Sequence, residues 1–181
     1  MKRIKALEST AHHEAGHAVA AYQLGQAIKS VIKPLTYAIS SGRVSTSPYF
    51  SGDEWKQLIG VDSEDISGDM QQRLENDVLV CLVGPAAQKR FNFFGYRKGH
   101  GEQDRKIAMN WLSKLEGDNQ ILGYYFRMFD LRARNFVQRA TNWGLICHLA
   151  ETLLVRPTLT GDEVKSVILE GFHVSIEKSR G

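Results

Sequence analysis

The segment His13-Glu14-Ala15-Gly16-His17 constrains this chain more than any other stretch. It sets two histidines four positions apart in a run of small, helix-compatible residues, among them Ala11, Ala15, Ala18 and Val19. Side chains at i and i+4 lie on one helical face, about one turn apart. Two imidazoles so spaced can reach a single zinc ion at roughly 2.0–2.1 Å. Glu14 follows the first histidine and so stands beside such an ion rather than on it. That is where a general base takes a proton from a water activated by the metal. Chance explains the motif poorly: with 6 His and 20 Asp+Glu in 181 residues, about 0.02 matches are expected. The helix should run from about Leu7 to Leu24, with Ser9 or Thr10 as N-cap and Gly25 as its stop.

Composition excludes several classes of function. A chain of 181 residues suits one domain, residues 1–181, with a core that needs no disulfide staples. The net charge of +3, without a dense Lys/Arg stripe, argues against a nucleic-acid partner. No apolar run reaches the roughly 18 residues of a membrane span; Val78 to Val83 is broken by Gly84-Pro85. The basic N-terminus is followed by Glu8 and histidines where a signal peptide needs its apolar core. Cys81 and Cys147 lie in apolar helical stretches and read as buried thiols, which suits a reducing cytoplasm.

The rest of the chain reads as mainly α with a small β element. Ala27 to Ile39 is β-leaning around Pro34, which points to an edge or interrupted strand. Arg43 to Thr46 is a second short strand, and Ser47 to Ser67 a long loop. Met70 to Phe94 has helical periodicity, with a kink or split expected at Gly84-Pro85. A glycine-rich connection, Gly95 to Gly101, leads into a helix from Glu102 with Ile107, Ala108, Trp111 and Leu112 on one side. Two helices should follow, around 120–128 and 131–154. Thr160-Gly161-Asp162-Glu163 is a capping box opening a last helix with Val164, Val167 and Ile168 inward. Trp55, Trp111 and Trp143 are expected as core or loop anchors. Arg127, Arg132, Arg134 and Arg139 are expected on a solvated face.

A catalytic zinc site needs a third protein ligand and an open fourth position. His12, His100, Glu102, Asp104 and His148 are the candidates by residue type. His12 points about 100° away from His13 around the helix and cannot share its metal. Periodicity does not choose among the others.

Four segments in the same order resemble the FtsH-type ATP-dependent zinc metalloproteases. His13 to Ala18 is similar to that family's H-E-A-G-H-A helix. Leu82-Val83-Gly84-Pro85-Ala86-Ala87 resembles its L-G-G-R-A-A-E segment. Gly101-Glu102-Gln103-Asp104 resembles G-A-x-N-D, whose Asp is the third zinc ligand, with a spacing one residue shorter. Leu153-Leu154 with Thr158 to Val164 resembles the L-L-x…T-L-x-G-E-E-V end. The resemblance implies a helical peptidase domain, zinc held by His13, His17 and Asp104, and Glu14 as the catalytic base. The strand near Gly42–Thr46 resembles the family's edge strand, beside which a polypeptide substrate can lie by β-addition, the alternative being a plain structural strand. Arg105 follows the implied ligand, and Gln103 replaces the family's Asn. The 181 residues contain neither the family's ATPase module nor its transmembrane helices, and no G-x-x-x-x-G-K-[ST] loop. A homo-oligomer and a separate unfoldase are the further partners that the resemblance raises. The competing reading is a catalytically weak or silent zinc-binding interaction module, against which the presence of Glu14 speaks. His100, between two glycines, reads as an oxyanion stabiliser or an exposed side chain.

Overall fold

The structure, a computed structural model, describes residues 2–32, 43–46, 67–97 and 99–178. Among them are α1 (Lys2–Gln23), β1 (Ile28–Ile32), β2 (Arg43–Thr46) and α2 (Gly68–Phe91). There follow α3 (Glu102–Leu112), α4 (Asn119–Gln138), α5 (Ala140–Val155), β3 (Thr158–Thr160) and α6 (Gly161–Lys178). A short 3-10 turn, Phe93–Gly95, lies between α2 and α3. The mainly helical class expected from periodicity is what the chain adopts.

Helix α1 is the hub, packed between α2 and α5. Its small residues make that possible: Ala11, Ala15, Ala18, Val19, Ala20 and Ala21 are all fully buried. A Cβ added at Gly16 would lie 2.8 Å from Ala87 Cβ and 3.1 Å from the Val83 carbonyl, so the α1–α2 crossing depends on this glycine. Helices α3 and α4 pack on α2, and α6 packs on α5 and β1. Phe129, Leu145, Leu149, Leu153, Leu159 and Ile168 fill the core between them.

Several local signals act as written. Gly25 adopts φ 75°, its N–H donates to the Tyr22 carbonyl and that of Gln26 to the Ala21 carbonyl, the Schellman pattern that ends a helix. Thr160 Oγ1 accepts from Glu163 N (3.3 Å) while Thr160 N donates to Glu163 Oε2 (2.8 Å), completing the capping box.

Other expectations are corrected. Ser9 and Thr10 are not N-caps, because α1 begins at Lys2; the Thr10 hydroxyl donates to the Ala6 carbonyl one turn back. Strand β1 is central in a sheet of order β2-β1-β3, antiparallel to both neighbours, and Pro34 lies outside the described residues. Trp55 and nearly all of the 47–67 segment also lie outside them. Helix α2 is not split at Pro85. Ile107, expected inward, is 38% exposed. The break between α4 and α5 falls at Arg139, in extended backbone, rather than near residue 130. Asn142 stabilises that corner: its Nδ2 donates to the Phe136 carbonyl and its Oδ1 accepts from Gln23 Nε2 at the end of α1. Arg127, Arg132, Arg134 and Arg139 are exposed as expected, and Arg132 and Arg134 pair with Glu75 and Asp130.

Candidate metal centre

The two motif histidines face α2, which runs antiparallel to α1. His17 is pressed against the backbone of α2 at Gly84, so closely that a Cβ there would overlap its ring. Its Nδ1 donates to the Val80 carbonyl at 2.7 Å. One turn earlier, His13 Nδ1 lies 3.1 Å from Gln88 Oε1, the acceptor for its proton. With Nδ1 the protonated nitrogen of each neutral ring, Nε2 is the nitrogen that would offer its lone pair to a metal. The two Nε2 atoms face each other at 3.0 Å.

Asp104 completes the group from the first turn of α3. Gly101 brings it there: it takes a left-handed conformation, φ 69°, with Pro85 so close that a Cβ would not fit. This close approach seats α3 tightly on α2. Asp104 Oδ2 is 3.3 Å from His13 Nε2, and Oδ1 is 3.4 Å from His17 Nε2. Ligands placed tetrahedrally at 2.0–2.1 Å from an ion are separated by about 3.3 Å. The three residues could therefore hold a metal ion, and Asp104 is the most exposed of them at 21%.

Electrostatics agree with the geometry. Burial opposes the charge on Asp104, yet hydrogen bonds from His13 and His17, with their charges, hold its carboxyl far below the usual range. Burial likewise opposes a charge on His17, but Asp104 outweighs it, helped by Glu14 and the Val80 carbonyl, and raises the imidazole to about 9. A proton thus sits where an ion would. Glu14 is 4% exposed. Burial raises its pKa, the charges of His13 and His17 oppose that, and Asp104 adds to it.

A pH dependence follows for the metal-free protein. The raised His17 contributes stability that is complete below pH 6.5 and lost as pH climbs through about 9. The depressed Asp104 contributes above about 3.8 and is lost only as pH falls through its much lower folded value. Metal-free protein should melt at lower temperature at pH 9 than at pH 6.5, and added divalent metal should stabilise more at the higher pH. Thermal melts at both values check this; a metal-free melting temperature unchanged across the interval would contradict the assignment.

The remaining candidates lie elsewhere. His12 donates from Nδ1 to the Glu8 carbonyl (2.7 Å) and stacks on Phe91 at 3.8 Å. Glu102 is an exposed partner of Lys106. His148 packs against Gly171. His100 is half-buried, its ring accepting from Arg97 N and its carbonyl taking bonds from Tyr96 and Arg105. Arg105 thereby clasps the loop, with a second bond to Tyr96 Oη, rather than competing for Asp104. Cys81 and Cys147 are free thiols; burial pushes Cys81 up to about 12, with Asp104 and Asp77 adding.

Gln88, the Val80 carbonyl and Gly84 were missed from sequence. The Gly84-Pro85 pair was the available signal, but it reads as a kink rather than as the seat of a histidine. No family model matches this chain, and no curated protein matches it. Among the described residues no helix is long and apolar enough to cross a membrane.

Proposed function

We propose that this chain is a zinc metallopeptidase of the H-E-x-x-H type. The observation that carries the reading is the convergence of two Nε2 atoms and a carboxylate within 3.4 Å, with both opposite ring nitrogens already engaged. Two imidazoles and one carboxylate form a donor set suited to zinc, with a fourth position left for substrate or water. The ordered resemblance to the FtsH-type peptidases supports the same assignment.

When bound, zinc makes a water acidic and polarises a carbonyl. Glu14 accepts the proton of the attacking water as the new C–O bond forms. It then gives that proton to the amine as the peptide C–N bond breaks. Its raised pKa suits both halves of the transfer, because an acid that is too strong returns protons poorly. Strand β2 pairs with β1 alone among the described residues, leaving an edge on which an extended polypeptide can add.

Purified protein supplied with zinc at neutral pH should hold about one ion per chain and cleave an unfolded protein such as casein. Asp104→Ala should abolish most zinc binding, whereas Glu102→Ala should leave it unchanged, since Glu102 faces solvent. Wild-type protein that stays metal-free would end the metallopeptidase reading. Bound zinc with no cleavage would leave the interaction-module alternative in its place.

A further inference from the structure

The two histidines are supported by unlike acceptors, and the difference has chemical consequences. His17 Nδ1 donates to a backbone carbonyl inside α2, which cannot turn away. His13 Nδ1 is served by the side-chain carbonyl of Gln88, near the C-terminal end of the same helix. A neutral imidazole carries one proton, and it can offer Nε2 to a metal only when that proton is on Nδ1. An amide rotated by half a turn would present N–H to the ring, drive the ring proton to Nε2 and block the ligand atom. Gln88 is 9% exposed and so held in packing against α1 rather than swinging in solvent. Its amide is also a weaker acceptor than a carboxylate, which is the stronger support for a metal-bound histidine.

We propose that Gln88 is a positioning residue: its side-chain carbonyl selects the metal-binding tautomer of His13 and sets the zinc affinity of the centre. The proposal rests on the metal site argued above. Gln88→Met keeps the length and bulk of the side chain but offers His13 no comparable acceptor. Gln88→Glu restores an acceptor and adds charge.

Zinc dissociation constants measured by competition with a chromophoric chelator test it, alongside thermal melts of the metal-free proteins. Gln88→Met should weaken zinc binding about 10–100-fold while the metal-free melting temperature stays near the parent's. Gln88→Glu should bind zinc as tightly as the parent or more tightly. A role in packing alone predicts the opposite pattern, with zinc affinity unmoved in Gln88→Met. Equal affinities in parent and Gln88→Met, or a Gln88→Glu protein as weak as Gln88→Met, would overturn the proposal. Should Gln88→Met fail to fold, a Gln88→Glu protein that binds zinc more weakly than the parent overturns the proposal. Absence of zinc binding in the wild type would instead overturn the metal site itself, so the two failures are distinct.

Discussion

Replacing Glu14 by Gln should leave zinc in place and lower peptide hydrolysis by roughly 10²–10⁴-fold. Glutamine keeps the shape and a carbonyl oxygen but cannot take a proton at neutral pH. The separation of effects comes from position. Glu14 is next to His13 in the chain, yet the three converging ligand atoms belong to His13, His17 and Asp104. Removing its charge also removes one influence that raises the His17 pKa. Zinc competes with a proton at that ring, so metal affinity should hold or improve slightly in the variant. A protein that loses zinc and activity together would make Glu14 a structural support of the ligands. A variant that cleaves casein as fast as the parent would remove Glu14 from the chemistry. Measuring metal content and turnover on the same preparation separates these outcomes.

What could be read from the chain was what depends on near neighbours. The i, i+4 histidines, the stop at Gly25 and the Thr160–Glu163 capping box are each written within a few residues, and each acts as expected. The third ligand is different. Asp104 is 87 positions from His17, and no period connects an acid on α3 with an imidazole on α1; only the family resemblance selected it. The two acceptors behind the histidines were less visible still. One is a backbone carbonyl, which has no residue identity, and the other is a glutamine on a helix paired through tertiary packing. Strand β3 escaped notice because three residues are too short to show alternation, and its pairing partner β1 is over a hundred positions away. The corner at Arg139 carries no Gly or Pro. It is held by Asn142, whose two bonds reach α1 and the end of α4.

Gly84→Ala should abolish most zinc binding although Gly84 offers no ligand atom. The glycine lies against the His17 ring, and a methyl group there would overlap Nε2, Cε1 and Cδ2. The ring has little freedom to retreat, since Nδ1 is bound to the Val80 carbonyl and the side chain is 10% exposed. Two effects on stability oppose each other. Alanine in place of glycine favours a helix interior by about 1 kcal/mol, whereas overpacking of a tight core costs typically about 1–3 kcal/mol. The crowding should win, giving a folded protein that is modestly less stable. Metal affinity has no such compensation: a displaced His17 leaves two ligands, and zinc binding should fall by more than about 100-fold. The comparison is Gly84→Ala against His17→Ala, by chelator competition and by circular dichroism. Similar loss of zinc in both, with helical content retained, supports the close seat of His17 on α2. Full zinc affinity in Gly84→Ala would mean that the ring binds its ion from another position, and the geometry of the centre would have to be redrawn.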